Sequence, residues 1–384
     1  MELSEEDSLR LHVLAQTSLA IRIDEAQMAV IGLGEAGEHR VKLNPSHQVD
    51  RYLRSVREML STMALGTPGG YPVFIRRWTR SGALEAERLG KLLCLGEPEA
   101  VVAVAASPEL TDALALRAWW CLPTAETARL MLRHTEVVHG KTGPSLVRFL
   151  VEQLPFETTS RDIIDTLRLI LRSNLLDKHT LQHLRARAEK KVAYLVGFLS
   201  AGPTYVDSER TRTPKHSLNG DGPSLNHAPN DPLASTALMQ CYLKACAHAL
   251  EKATDMDIVV DTVTAIGALF QGLRPAIPLP RSASALMQAV DDHLALPMKT
   301  ESKTPETAGF LDLSRRQQEA ILILSLTGEP LVAPVFARTD ATGSLMRKKL
   351  AEVLTPVIQA LATLTSDEAP SASTSTQTST STST

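Results

Sequence analysis

The stretch Thr159–Leu171, which reads TSRDIIDTLRLIL, carries the pattern that decides the fold. Thr159 followed three residues later by Asp162 is typical of a helix N-terminus, because the hydroxyl accepts a hydrogen bond from a free backbone amide. Apolar residues then recur every three or four positions, which predicts a helix that buries one face. The residues of that face are Ile163, Ile164, Leu167, Ile170 and Leu171.

Similar short segments fill residues 84–200. One helix is predicted to begin at Ser107, because a serine followed by Pro and Glu is a favourable N-cap and first turn. Another is predicted as one continuous helix over 178–199. Since no such helix can bury its apolar face alone, we expect antiparallel helical hairpins stacked as in an α-solenoid.

Three segments near the N-terminus alternate between apolar and polar residues, over 20–24, 28–31 and 39–43, which predicts a small β-meander. The residues between the last two include Gly32–Gly37, which reads GLGEAG and matches the glycine fingerprint of dinucleotide-binding proteins. That fingerprint needs a helix that begins at the loop, whereas Pro45 follows within eight residues of its end. We therefore predict a hairpin turn and no dinucleotide site.

Composition divides the chain into five parts. A Pro- and Gly-rich stretch is predicted to be a disordered linker, and a C-terminal stretch of almost only Ser and Thr is predicted to be a disordered tail. The predicted fold is mainly α, with helical-repeat-like packing and a small N-terminal β-meander. The parts are an N-terminal α+β element (1–83), a helical domain (84–200), the linker (201–232), a C-terminal helical part (233–366) and the Ser/Thr tail (367–384).

Two apolar runs end in the same three residues. LLCLGEP covers Leu92–Pro98 and LILSLTGEP covers Leu322–Pro330, and each precedes further Val and Ala residues. One interpretation is an ancestral unit shared by the two helical parts. The simpler interpretation, which we favour, is that Gly-Glu-Pro is a common break between helices.

Charge and cysteine content exclude several classes of protein. The net charge is -3 and the pI is about 6.4, so nucleic-acid binding is expected only through a local basic patch. Four cysteines in 384 residues do not make a disulfide framework. The first residues are acidic, unlike a secretory signal, and the apolar runs are far shorter than the roughly 20 residues that span a bilayer. We predict a cytoplasmic protein without membrane insertion.

Two further motifs are incomplete. Gly140–Thr142 resembles the end of a phosphate-binding loop, but Thr135 stands where that motif requires a glycine, so an ordinary loop is predicted. His179 and His183 would share a helix face, as zinc ligands can, but no third ligand follows at a diagnostic spacing. We predict no catalytic, cofactor-binding or metal-binding residues and no enzyme, with a site assembled from distant residues as the alternative.

The segment Tyr71–Arg80 reads YPVFIRRWTR and places three arginines around a tryptophan. Arginine beside aromatic side chains can hold phosphates, stack on bases or anchor a protein partner. The alternative is that the aromatic rings belong to the core and that the arginines pair with acids or face solvent. The candidate residues for contact with a protein or a nucleic acid are Arg76, Arg77, Trp78 and Arg80.

The adjacent Trp119 and Trp120 are the other aromatic feature. We interpret them as one core ring and one half-exposed ring, because large rings with a polar N–H are seldom buried completely. A groove for a partner is the alternative.

Four blocks of this sequence resemble the DsrS family, which is encoded beside the reverse-acting dissimilatory sulfite reductase of sulfur-oxidising bacteria. The most distinctive block reads LGTPGGYPVFIRRWTR, and the resemblance extends over about residues 1–200. It implies a cytoplasmic protein connected with the oxidation of stored sulfur, and it supplies no catalytic or cofactor residues. The blocks are Leu65–Arg80, Leu95–Val104, Arg117–Ala125 and Leu150–Glu157.

The function expected from the residues and the resemblance is that of a non-enzymatic accessory or regulatory protein of sulfur oxidation. It would act through protein–protein contacts with sulfur-oxidation components, without a cofactor. The alternative is an RNA-binding regulator of the sulfur-oxidation genes that uses the arginine and aromatic residues of 71–80. The sequence predicts no oligomeric state.

Overall fold

The computed structural model describes residues 3–45, 48–69, 86–206, 232–295, 310 and 313–366. The chain forms two compact units, Met1–Leu184 and Arg185–Thr384. The described residues are mainly helical and include a three-stranded antiparallel sheet near the N-terminus, which confirms the predicted helical class and the β-meander. The five-part division by composition stays a prediction.

The first unit contains the sheet and the shorter helices. In chain order its elements are α1 (Glu5–Thr17), β1 (Ala20–Asp24), β2 (Ala29–Gly34), β3 (Gly37–Lys42), α2 (Val49–Leu65), α3 (Ala86–Leu92), α4 (Pro98–Ala105), α5 (Asp112–Cys121), α6 (Ala125–Met131), α7 (Thr135–His139), α8 (Gly143–Gln153), α9 (Ser160–Arg172) and α10 (Lys178–Ala188), the last of which continues into the second unit.

The sheet packs against α1, which lies very close to β2. A Cβ atom at Gly32 would overlap the hydroxyl of Ser18 and press on the Leu14 side chain, so another residue here would displace side chains of the α1 region. Gly37 has a φ of 119°, which turns the chain between β2 and β3. The structure therefore confirms the hairpin, and the two glycines serve packing and a turn. The core formed by α1, α2 and the sheet contains Leu11, Leu14, Ile21, Val30, Leu43, Leu53, Val56 and Leu60.

Helix α9 confirms the capped amphipathic pattern. The Thr159 hydroxyl accepts a hydrogen bond from the Asp162 amide at 3.2 Å, and every residue of the predicted face is buried. Burial of that face stabilises the helix far more than its propensity does, since each fully buried aliphatic side chain contributes about 1.5–3 kcal/mol.

One predicted helix start is wrong. The helix expected to begin at Ser107 begins at Asp112, and Thr111 is its N-cap, with a hydroxyl that accepts from the Leu114 amide at 3.3 Å. Ser107 instead accepts from the backbone of the turn that follows it, and this turn buries Leu110. Two hydroxyl residues were suitable caps, and burial of the leucine between them selects the second.

The continuous helix predicted over 178–199 is also wrong, because α10 ends at Ala188 and a new helix begins at Val192. Leu184 is the one buried residue of α10, whereas most of the next helix is buried. The break coincides with a change from a largely exposed, polar segment to a largely buried, apolar one. The charged residues 189–191 lie at the break.

The regular secondary structure described in the second unit consists of helices. After the end of α10, its elements are α11 (Val192–Ala201), α12 (Pro203–Val206), α13 (Pro232–Glu251), α14 (Met256–Leu269), α15 (Ala283–Ala295), α16 (Arg315–Ser325), α17 (Glu329–Phe336) and α18 (Gly343–Thr365), with a single 3-10 turn at Gln271–Leu273 after α14.

Helix α14 lies at the centre of this unit and contacts α11, α13, α16 and α17. Its buried residues include Val259, Val263 and Ile266. Most of the predicted linker and all of the predicted tail, at 207–231 and 367–384, lie outside the described residues.

No single helix among the described residues is long and apolar enough to cross a membrane. The pair α16 and α17 passes a test of length and composition only when the two are taken together, and they are bent by 61° at their break.

Candidate protein-contact site

The arginine-rich segment predicted as the contact site lies outside the described residues, within 70–85. Arg76, Arg77, Trp78 and Arg80 are therefore not placed by the structure, and their contact role stays a prediction. Within the described residues, the outer face of one helix of the first unit is the candidate contact site.

This surface is the outer face of α5. Ala113 and Leu116 are exposed, with 56% of Leu116 accessible, and Trp120 is half-buried one turn further along the same face. The opposite face of α5 is buried in the core through residues such as Leu114 and Ala118. The outer face also carries Arg117, so it presents one exposed leucine and one half-buried tryptophan beside a positive charge.

Trp120 is fixed in place by two charged residues of the sheet. The guanidinium carbon of Arg22 lies 4.5 Å from the centre of the indole ring, in cation–π contact. The indole nitrogen donates a hydrogen bond to Glu38 at 2.6 Å, and Arg22 donates to the Trp120 carbonyl oxygen at 3.3 Å. Arg22 and Glu38 also face each other at 3.6 Å. These contacts hold the ring in one orientation without burying it.

The strand register explains how the two charged residues meet the ring. Arg22 lies opposite Ile31, and Glu38 lies opposite Leu33 two positions further along β2. Alternate residues of a strand share a face, so both side chains project from the same face of the sheet. Helix α5 packs against β1 and brings Trp120 to this face.

Trp119 points elsewhere, although it is the neighbouring residue. Its ring packs edge-to-face against Phe149 of α8, with the ring centres 4.8 Å apart. Both rings are half-buried. The half-exposed ring predicted from the sequence is therefore found at Trp120, but the prediction of a core ring is wrong, because Trp119 packs on Phe149 without being buried.

The N-terminus of α5 is fixed by the loop at Gly140–Thr142. Asp112 accepts hydrogen bonds from the Lys141 amide at 2.9 Å and from the Thr142 amide at 3.1 Å. A Cβ at Gly140 would overlap this carboxylate. The segment that resembles a phosphate-binding loop thus holds an anion of its own chain, in agreement with the predicted ordinary loop.

The pKa of Asp112 reflects this arrangement. Partial burial by itself raises the pKa, but the hydrogen bonds from the Thr142 side chain and from the Lys141 and Thr142 amides outweigh it and lower the pKa below its usual value. The carboxylate is therefore ionised at neutral pH. It ties the loop to α5 most strongly above the usual pKa of an aspartate and loses this contribution as the pH falls through the lowered pKa.

Arg22 also lines a cleft of about 690 Å³ between the sheet and the start of α4. Arg57 and Glu25 form an ion pair at this cleft, so its positive charges already have acidic partners. Cys121 lines the cleft as well. Burial first, and then the neighbouring Cys94, raise the pKa of the Cys121 thiol to about 12.

A thiol with that pKa is protonated at neutral pH, and only the thiolate is an effective nucleophile. Cys94 is similar, since burial raises its pKa to about 11. The raised pKa of the Cys121 thiol therefore does not favour nucleophilic catalysis by this residue.

Charged residues of the neighbouring helices form structural ion pairs. Arg129 contacts Glu157 at 2.8 Å and Asp162 at 3.0 Å, and both Arg129 and Glu157 are largely buried. Arg133 contacts Asp165 at 3.0 Å. Each of these acids pairs with an arginine. The pair of Arg129 and Asp162 connects α6 to α9. Within the described residues, no group of three or more His, Cys, Asp or Glu side chains could hold a metal ion.

The sequence alone did not identify most residues of this candidate face. Leu116 and Trp120 are four residues apart on a predicted helix, which is a signal that could have drawn attention to this face. Arg22 and Glu38 could not be found in the same way, because they are 98 and 82 residues away from Trp120 in the chain.

The resemblance to the DsrS family rests on the residue blocks quoted above alone. Comparison of the chain with family models, with curated proteins and with solved structures finds no match.

Proposed function

We propose that this chain is a cytoplasmic, non-enzymatic accessory or regulatory protein of bacterial sulfur oxidation that acts through protein–protein contacts. The resemblance to the DsrS family supports the biological context. The observation that carries the contact role is the outer face of α5, where exposed Leu116 adjoins a tryptophan clamped by Arg22 and Glu38.

Tryptophan and arginine dominate the energetics of protein interfaces, and a ring that is already oriented loses little conformational entropy when a partner covers it. Trp120 meets both conditions, because its face is stacked on Arg22 and its N–H is already hydrogen-bonded to Glu38. The partner we propose is a sulfur-oxidation protein with an apolar surface that covers Leu116 and Trp120.

We also infer helical-repeat-like packing in the first unit, which would offer a partner an extended surface. This inference is supported by contacts of α4 with α5 and α6, and of α8 with α6 and α9. The segment with Arg76, Arg77, Trp78 and Arg80 would be a second region of contact in this proposal.

The test is capture of partners by the tagged full-length chain in extract of a sulfur-oxidising bacterium, with and without ribonuclease, followed by mass spectrometry. Sulfur-oxidation proteins are expected to co-purify in both arms. Leu116→Gln and Trp120→Ala should each lower their recovery by about tenfold or more, since truncation of an interface anchor costs at least about 1–2 kcal/mol.

Leu345→Gln is the matched control, because Leu345 lies on a helix of the second unit and is 55% exposed, almost the same as Leu116. It should leave recovery unchanged. Unchanged recovery with Leu116→Gln and Trp120→Ala would remove α5 as the contact site. Arg76→Ala, Arg77→Ala and Arg80→Ala combined test the second region in the same assay. Partners that disappear with ribonuclease would replace the proposal by the RNA-binding alternative.

A further inference from the structure

His179 and His183 face each other on the surface of α10. Their Nε2 atoms are 3.2 Å apart, and the planes of the rings meet at 69°. The ring centres are 4.4 Å apart, which is further than the nitrogens, so the two rings converge on Nε2. Both residues are exposed, and a small ion in solution can reach both nitrogens.

The separation of the nitrogens matches that of two ligands on one metal ion. Zinc lies about 2.0–2.1 Å from a histidine nitrogen, so two such nitrogens are about 3.3 Å apart at a tetrahedral ion. At an ion with 90° angles between its ligands they are about 2.9 Å apart. The observed 3.2 Å, which is also a hydrogen-bond distance, lies between these values, so the spacing of the nitrogens fits a shared ion that would replace the hydrogen bond.

We propose that His179 and His183 form a two-histidine chelate for a divalent transition-metal ion of the Zn²⁺, Ni²⁺ and Cu²⁺ class. Imidazole nitrogen suits these ions, whereas Mg²⁺ and Ca²⁺ prefer oxygen ligands. In the metal-bound form each ring carries its proton on Nδ1 and donates the lone pair of Nε2 to the ion. Within the described residues no third His, Cys, Asp or Glu side chain joins the pair, so the proposed chelate has two protein ligands from this part of the chain.

Helix α10 positions the two histidines without a bound ion. Asp177 accepts hydrogen bonds from the Thr180 amide at 2.9 Å and from the Thr180 hydroxyl at 2.6 Å, which caps the first turn, where His179 lies. Leu184, the residue after His183, is buried and anchors the second turn. The cap occupies the Asp177 carboxylate, which therefore does not serve as a ligand.

Isothermal titration of the full-length chain without an affinity tag, with Zn²⁺ and separately with Ni²⁺, tests the proposal. The chain has eleven histidines, so the decisive quantity is the difference between variants. His179→Gln and His183→Gln should each lose one binding site per chain. Both positions are exposed, so the far-UV circular dichroism should be unchanged.

The matched control combines His183→Ala with Ala186→His, which keeps the histidine count but places the two rings seven residues apart, about 10 Å along the helix. It should lose the same site. His12→Gln removes an exposed helical histidine that has no histidine four residues away, and it should retain the site. Equal stoichiometry and affinity in the wild type and in both single variants would overturn the proposal, as would retention of the site in the displaced pair.

Discussion

Each unit of this protein contains a Gly-Glu-Pro sequence between two helices, and the two breaks are built differently. In the first unit, Gly96-Glu97-Pro98 connects α3 to α4. In the second unit, Gly328-Glu329-Pro330 connects α16 to α17. Both prolines lie in the first turn of the helix that follows, where the missing N–H costs nothing. The difference lies in what the glycine does.

In the first break the glycine itself is required. Gly96 has a φ of 68°, in the left-handed region that disfavours other residues. A Cβ at this position would also lie 2.8 Å from the Ile23 side chain of β1. Both the backbone conformation and the close contact with the sheet therefore depend on Gly96.

In the second break the required glycine is on a neighbouring helix. Gly328 is extended, with a φ of 177°, which any residue adopts. The residue before it, Thr327, lies against α14 so closely that a Cβ at Gly267 would overlap its carbonyl oxygen. Arg274 reinforces this contact by donating to the Ser325 carbonyl at 2.6 Å and to the Gly267 carbonyl at 2.8 Å.

The same Gly-Glu-Pro sequence therefore meets different structural requirements in the two breaks. If the two segments descended from one ancestral unit, we would expect the glycine to have the same structural role in both. A Gly-Glu-Pro sequence that merely separates two helices does not require this. The comparison therefore favours the simpler of the two interpretations made from the sequence. Substitution of Gly267, Gly96 and Gly328 tests it.

Gly267→Ala is expected to have the largest effect. The added methyl group meets a backbone carbonyl, which cannot move aside as a flexible side chain can, so we expect a loss of about 3 kcal/mol in the free energy of unfolding. The measurement is urea denaturation of the full-length chain followed by far-UV circular dichroism. Thr264→Ala, at an exposed position of the same helix, should stay within about 0.5 kcal/mol of the wild type. An unchanged midpoint for Gly267→Ala would contradict the close contact.

Much of the local fold could be predicted from the sequence because its signals are local. The cap at Thr159 and the buried face of α9 depend on spacing within one helix, and the hairpin turn depends on Gly37 and on the lack of room before Pro45. The start of α5 at Asp112 was missed because local rules alone do not choose between two possible caps.

The candidate contact face of α5 could be predicted only in part, because its residues come from distant parts of the chain. The half-exposed state of Trp120 follows from the size and polarity of its ring, but its clamp requires that β1, β3 and α5 meet, which is a tertiary result. The need for glycine at position 267 was not predicted either, because Gly267 and Thr327 are in contact but 60 residues apart in the chain.

Gly96→Ala should have an intermediate effect, a loss of about 2 kcal/mol, from the strained backbone and from displacement of Ile23. Tryptophan fluorescence during urea denaturation is a suitable measurement, because all three tryptophans lie in the first unit. Gly90→Ala is the control. Gly90 lies within α3 with no atom closer than 4.0 Å to an added Cβ, so this change should stabilise the unit by about 0.5–1 kcal/mol. The same sign for both variants would contradict the role assigned to Gly96.

Gly328→Ala should have the smallest effect on the free energy of unfolding, although, like Gly96→Ala, it replaces the glycine of a Gly-Glu-Pro sequence. The added methyl group lies 3.3 Å from the end of the Leu279 side chain, which can shift by a few tenths of an ångström. The unfolded chain also loses conformational freedom, which favours folding by about 0.4–1 kcal/mol and offsets the shift of Leu279. We expect a midpoint by circular dichroism within about 0.5 kcal/mol of the wild type. A loss as large as that of Gly96→Ala would mean that both breaks need glycine in place, and the shared ancestral unit would then become the better explanation of the two sequences.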